Sequence, residues 1–387
     1  MGGSLTRRRV SPASVRAPTA ALLLLALSFG ARAGAQPAGA LPSAASPSAA
    51  APWTAALAER VRGIDLAHRG ALQVWVQDVA SGESYGYDAE APAYLSSTLK
   101  LVVALAVLRE VDAGALSLDE PLRLEAQDVR DGVGLLGPAD VGTERSVGQL
   151  LELMLVRSDN TAADRLITRV GEDRLDSEVA CRGLHFGPLR SLLTERQQLY
   201  ARLDPRGAHL SGAQLRELGR HESLDARARA FAQLVGAPPP QDATVLPRAF
   251  EAFYATGVNT APLREVGGLL AQVARCEGLS AGSCARMQTL MRACRTGAAR
   301  VRAGLPAQVA WAHKTGTQFQ RACDVGFFTL APGRSVVVAA CARDFDQVPE
   351  AEAAFREVGA AVWSALGAQP PPPVEARRAP VRAAPSP

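Results

Sequence analysis

Lysine is almost missing. Of the 42 Lys and Arg residues in this 387-residue chain, only Lys100 and Lys314 are lysine; the others are arginine. A chain that takes arginine wherever a surface cation suffices keeps lysine where arginine cannot serve. A buried ammonium can lose its proton, and a guanidinium cannot. Aromatic residues are scarce too, at 5%. The formal charge of +4 is misleading, because Arg7, Arg8, Arg9, Arg16 and Arg32 fall within residues 1–52, which hold no acid. The remaining chain is close to neutral and lacks the basic footprint of a nucleic-acid binder. No apolar run approaches the ~20 residues a membrane span needs. There is no CxxC or HxxxH pair, and His68, His185, His209, His221 and His313 stand singly. No metal site is expected, and nothing in the chain asks for an organic cofactor.

What is present begins with an address label. Arginines precede an apolar run over residues 20–29, followed by the small residues Ala31, Ala33, Gly34 and Ala35. This charged, apolar, small order is that of a secretory signal peptide. Residues 1–35 are therefore expected to be removed, leaving a periplasmic or secreted protein with no stable membrane insertion. Six cysteines (Cys181, Cys276, Cys284, Cys294, Cys323, Cys341) then lie where disulfides persist. Complete pairing is allowed by the even count, and Cys323 with Cys341, at the two ends of an expected hairpin, is the favoured pair.

Residues 36–52 read as a flexible leader and 369–387 as a disordered Pro-rich tail, leaving one folded unit over 53–368. Leu57, Val61 and Ile64 recur at helical spacing, and Leu72, Val74 and Val76 alternate as in a half-buried strand. Strands are expected over 308–317, 324–330 and 335–343, the last two joined by a turn at Pro332-Gly333, before an amphipathic helix through Phe355, Val358, Val362 and Leu366. The middle of the chain is dense in helical patterns. The expected fold is α+β: an antiparallel sheet built from both chain ends with flanking helices (about 53–95 and 300–368), plus an all-helical part (about 96–299). The active site belongs in the cleft between them.

Both lysines fall in chemically suggestive places. Lys100 closes Ser97-Thr98-Leu99-Lys100 at the start of a run to Asp112 that is apolar on every side, hence buried, with Ser96 as the expected N-cap. Ser97 and Lys100 share one face of the first turn. Burial and the helix dipole disfavour the ammonium, which makes Lys100 a candidate base for a neighbouring hydroxyl. Lys314 opens Lys314-Thr315-Gly316-Thr317, where a Gly beside Thr on an edge strand permits close approach of a ligand and Lys with Thr can hold a carboxylate. Between them lies Ser158-Asp159-Asn160, by itself readable as a helix cap.

Together these three segments resemble the motif set of class A serine β-lactamases, within the β-lactamase and penicillin-binding serine hydrolases. The resemblance covers roughly residues 55–367 and implies catalytic and substrate-binding roles. Ser97 is the implied nucleophile, Lys100 takes its proton, and Ser158 relays a proton to the leaving nitrogen. Asn160 binds the substrate's side-chain amide, Lys314 and Thr315 hold its carboxylate, and Gly316 belongs to the same motif. The backbone N–H groups of Ser97 and Thr317 form the oxyanion hole. The family's deacylating glutamate maps by count to Glu195, with Glu217, Glu222 and Glu251 as rivals. No asparagine follows Glu195 closely, and Gln198 is the amide weighed in its place. The carboxylate-binding arginine is unplaced, with Arg321 and Arg343 as candidates. The segment between the second and third motifs is longer than usual, by an insertion near 200–258. The resemblance thus implies a monomeric β-lactamase acting on small β-lactams through an acyl-enzyme on Ser97, and so conferring antibiotic resistance. The alternative is a penicillin-binding hydrolase or DD-peptidase-like acyl transferase that deacylates slowly. A non-catalytic protein retaining only the fold is a third reading, against which the two lysines weigh.

Overall fold

The structure, a computed structural model, describes residues 52–367. The expectations for 1–35, for 36–51 of the leader and for the tail at 369–387 lie outside them. Five strands form one antiparallel sheet, in the order Ser84–Tyr87, Ala71–Asp78, Arg334–Arg343, Arg321–Ala331, Ala312–Gln318. The N-terminal hairpin thus pairs with the last strand of the C-terminal meander, as expected from strands at both chain ends.

The sheet is buried on both faces, which is why its central strands are apolar almost throughout. On one face Leu72, Val74, Val336, Val338 and Ala340 pack against Trp53, Leu57 and Val61 of helix Pro52–Ala67 and Phe355, Val358 and Val362 of helix Val348–Leu366. On the other, Val337, Ala339, Val325 and Phe327 join a second cluster with the helical part. Phe355 is fully buried. Phe355→Ala is expected to cost about 3–5 kcal/mol of folding stability, measured by urea unfolding.

Helix Lys100–Asp112 runs through the centre of that second cluster, buried continuously from Lys100 to Leu108. Its start differs from the sequence expectation. Ser96 does not cap it; residues Ser96–Leu99 form a 3-10 turn, and Ser96 sits in the left-handed region (φ 49°) with its hydroxyl donating to Thr317 O at 2.9 Å. The Ser-Ser pair reads locally as a cap, but the tie to the edge strand takes the hydroxyl away.

Two further expectations change. The strand expected from 308 begins at Ala312, because Val309 N closes a turn on Pro306 O. Cys323 and Cys341 lie directly opposite in register and are bonded, while Cys276 pairs with Cys284. Pairing is therefore incomplete: Cys181 and Cys294 are free thiols. The insertion near 200–258 carries helices Gly212–Gly219, Leu224–Val235 and Val245–Tyr254, which close over their own apolar cluster around Phe231, Phe250, Phe253, Tyr200 and Tyr94. Among the described residues, no helix is long and apolar enough to cross a membrane.

Candidate active site

Three segments meet where the Lys100–Asp112 helix begins. Helix Val147–Val156 ends just before Ser158, and helix Asn160–Val170 starts immediately after it, capped by Asp159, whose carboxylate accepts from Ala162 N at 2.8 Å and from the amides of Leu135 and Leu136. The cap reading of Ser158-Asp159-Asn160 is therefore right for its middle residue. Ser158, forced to φ 59°, turns its side chain the other way, into the cleft. Strand Ala312–Gln318 brings Lys314 from the opposite side. Gly316 makes that approach feasible, since a Cβ there would lie 2.6 Å from Leu95 O and 3.2 Å from Ser97 N.

The side chains so assembled form one hydrogen-bonded network. Lys100 Nζ donates to Ser158 O at 2.6 Å, Ser158 Oγ at 3.3 Å and Asn160 Oδ1 at 2.7 Å, and Lys314 Nζ donates to the same Ser158 Oγ at 2.9 Å. Asn160 is fixed by its Nδ2, which donates to Asp131 O at 2.8 Å. Lys100 makes no hydrogen bond to Ser97; its protons go to the second motif. Ser97 and Lys100 nevertheless line one cavity of about 70 Å³, together with Asn160, Glu195, Thr317 and Gln318. A larger cavity, about 470 Å³ among the inserted helices, holds none of the motif residues.

Both ammonium groups are buried, and burial is the main cause that lowers their proton affinity. Lys100 falls well below the ordinary lysine value through burial and then the charge of Lys314, against the upward pull of Asp159, Asp164 and Glu195. Lys314 is lowered to about 8 by burial and Arg300, against Cys294 and Asp324.

Glu195 lines the cavity that Ser97 lines, and Glu217, Glu222 and Glu251 do not. Glu217 pairs with Arg220, Glu251 with Arg321, and Glu222 is exposed. Glu195 is buried, in helix Leu192–Tyr200. Its amide partner is not Gln198 but Asn259, whose Nδ2 donates to Glu195 Oε2 at 3.0 Å. Asn259 holds φ 55° and is fixed by backbone bonds to Pro188 and Leu95. It lies a short turn beyond the last inserted helix, which ends at Tyr254, so the insertion ends by delivering an amide to the glutamate. Gln318 Nε2 approaches the other carboxylate oxygen at 3.5 Å.

Neither arginine singled out from sequence reaches the site. Arg321 pairs with Glu251 and Asp344 and lies over the Tyr254 ring, and Arg343 pairs with Asp344. The arginine present is Arg300, buried, donating to Thr317 Oγ1 at 2.7 Å, Gly316 O at 2.9 Å and Cys323 O at 2.8 Å. No sequence pattern distinguished it from the other arginines. Thr315 is held from behind by Thr296, hydroxyl to hydroxyl at 2.6 Å. The arrangement offers a half-buried hydroxyl, two weakly basic amines joined through a second hydroxyl, and a buried carboxylate: the parts of acyl transfer through a serine ester.

Comparison with known proteins agrees with this chemistry. The family model described as "Beta-lactamase enzyme family" matches residues 56–366. A beta-lactamase of Streptomyces fradiae is 31% identical over 122 residues, 30% of this chain and 39% of that protein, and one of Streptomyces cellulosae is 28% identical over 169 residues, 43% of this chain and 50% of that protein. The chain thus spans half or less of the length of these curated relatives. Among solved structures, an acyl-enzyme complex of a PBP-A mutant with penicillin G superposes with a TM-score of 0.61 at 20% identity, covering 82% of this chain and 97% of that one. The beta-lactamase of Sphaerobacter thermophilus does so with a TM-score of 0.60 at 22% identity, covering 82% and 98%. At such identities these two likenesses speak for the fold.

Proposed function

Because the chain belongs to the beta-lactamase enzyme family, we propose that it hydrolyses β-lactams through an acyl-enzyme on Ser97. The observation that carries this reading is the continuous Asn160–Lys100–Ser158–Lys314 network, whose Asn160 and Lys100 line the cavity that Ser97 and Glu195 share. Lys314, Thr315 and Arg300 hold the substrate carboxylate. Ser97 Oγ attacks the lactam carbonyl and its proton passes to Lys100. The oxyanion rests on the Ser97 and Thr317 amides, each donor worth roughly 3–4 kcal/mol of barrier. Ser158 hands its proton to the departing nitrogen and takes in its place the one that Lys100 received. Glu195 then draws a proton from water, which attacks the ester, and returns it to the oxygen of Ser97 as that leaves. The two disulfides suit an oxidising compartment, in keeping with periplasmic or secreted placement.

Turnover of a chromogenic cephalosporin by the purified protein, with intact mass measured after penicillin exposure, tests the proposal. Hydrolysis without a lasting adduct supports it. A long-lived adduct on Ser97 favours the slow-deacylating alternative, and neither turnover nor adduct overturns both.

Two further results are expected. Lys314 must be charged to hold a carboxylate and is charged below about pH 8. kcat/KM should therefore fall as pH rises through about 8, mainly through KM; a profile flat to about pH 10 removes Lys314 from binding. Lys100→Arg keeps a charge but cannot give up its proton in this buried site. Its acylation rate is expected to drop on the order of 10²–10³-fold, read by stopped-flow acylation, with the fold checked by circular dichroism.

A further inference from the structure

Behind the carboxylate-binding strand lies a second cluster that the lactam chemistry does not use. His313 and Thr315, two residues apart, share one face of strand Ala312–Gln318. Facing them are Cys294 and Thr296. The His313 ring is buried, its Nδ1 meets Asp324 Oδ1 at 2.7 Å, and it lines the same cavity as the Cys294 thiol. Asp324, wholly buried, also accepts from Val301 N. This is a Cys–His–Asp alignment of the kind that activates a sulfur nucleophile. Cys294 Sγ lies 3.3 Å from Thr296 Oγ1, which bonds Thr315 Oγ1. The thiol is therefore two hydroxyls from the proposed substrate carboxylate site.

The cluster has an entrance. Cys294 and His313 line a cavity of about 410 Å³ that Arg292, Arg295 and Arg302 also line and to which no acid contributes. Arg292 and Arg295 are exposed. Arg302 is turned toward the carbonyls of residues 305–307. The cavity beside the sulfur is thus lined by cationic and neutral side chains only, with His313 from the strand and the arginines from the segment that carries Cys294.

We propose that Cys294, with His313 and Asp324, is a reactive thiol site that takes small anionic disulfides, and that an adduct there weakens binding of the substrate carboxylate at Lys314 and Thr315. The exchange is balanced without an outside oxidant. The Cys294 sulfur attacks one sulfur of the disulfide, a mixed disulfide forms as the reagent's S–S bond breaks, and the departing thiolate carries off the electron pair. Burial opposes ionisation of Cys294, but His313 and its charge, with Lys314 and Thr296, overcome it and hold the thiol at about 6. His313 is in turn raised to about 9, against burial, by Asp324 and Cys294. Capping the sulfur removes the negative group that supports the charge on Lys314 and pushes on Thr296. The second half of the proposal rests on the lactamase reading; the first does not.

The test uses the purified protein and dithiobis(nitrobenzoate), a disulfide with two carboxylates, followed by thiol release and peptide mapping. Cys181, the other free thiol, is the internal control. At about pH 6.5 the larger ionised fraction of Cys294, discounted for the lower nucleophilicity of an acidic thiol, leaves it roughly fivefold to tenfold faster than an ordinary cysteine. Cys294→Ser should erase that fast phase. Arg292→Glu with Arg295→Glu should slow it about tenfold while leaving the rate with cystamine, a dicationic disulfide, no slower than before. Cys294 reacting no faster than Cys181, or indifferent to the two charge reversals, overturns the site. In a Cys181→Ser background, the adduct should raise KM for a chromogenic cephalosporin about fivefold to tenfold with kcat within about twofold, reversibly with dithiothreitol, and Cys294→Ser should be insensitive. A fast adduct with unchanged KM overturns the coupling. Failure of the unlabelled protein to turn over or acylate is a failure of the lactamase reading alone, because labelling is read by mass.

Discussion

Ser97→Ala should lower β-lactam turnover by about 10⁵-fold or more and abolish the penicillin adduct, leaving the fold intact. Removing the nucleophile of a serine hydrolase costs on the order of 10⁶ in kcat, and the residual rate comes from binding and the oxyanion donors, which alanine leaves in place. Stability should hardly move. Ser97 is half-buried and no hydrogen bond ties its hydroxyl to the rest of the described chain, so its loss strands no partner. The contrast with Ser158 makes this informative. Ser158 Oγ accepts from both Lys100 and Lys314, so alanine there would disturb two buried ammonium groups as well as the chemistry. Nitrocefin hydrolysis, intact mass after penicillin and a thermal melt, on the wild type and Ser97→Ala side by side, check the prediction. A variant that still acylates would move the nucleophile elsewhere.

What the sequence disclosed of this site follows a physical rule. The proposed pairs Ser97 with Lys100, Ser158 with Asn160, and Lys314 with Thr315 each lie within one turn or one strand step, so local spacing alone brings them together in a motif. The scarcity of lysine marked two of them further. Asn259 and Arg300 were not legible for the converse reason. Asn259 reaches Glu195 across 64 residues, through an insertion whose path depends on packing around Phe231, Phe250 and Phe253. Arg300 is one arginine among many, and its role comes only from the register that sets Gly316 opposite Cys323. The same distinction holds for the fold. Helix and strand periodicities were readable because one face of each must be buried, and Cys323–Cys341 because hairpin ends meet. Ser96 misled because its hydroxyl serves a strand more than 200 residues away instead of the next turn.

Glu195→Gln should convert the enzyme into one that acylates once and then stalls. The wild-type carboxylate is buried in the cavity that Ser97 lines, with Asn259 on one oxygen and Gln318 and Arg196 near the other. Glutamine keeps the volume, can turn its carbonyl toward the Asn259 amide and so keep that bond, and leaves Asn259 with a partner. It cannot accept a proton from water. A general base of this kind contributes about 10²–10⁴-fold, so deacylation should fall toward the upper end, about 10³–10⁴-fold. Acylation, for which Lys100 is the proposed base, should change by less than about tenfold. The expected record is a burst of one equivalent of hydrolysed cephalosporin per enzyme, then near silence, with a stable adduct of penicillin mass on Ser97. Asn259→Ala offers a graded comparison, because it leaves the carboxylate but frees its orientation, and should slow deacylation by roughly 10-fold to 10²-fold through kcat. If Glu195→Gln instead lowers acylation and deacylation equally, Glu195 serves the first step as well. If it changes neither, no base assigned here activates the water, and the protein's turnover rests on another route.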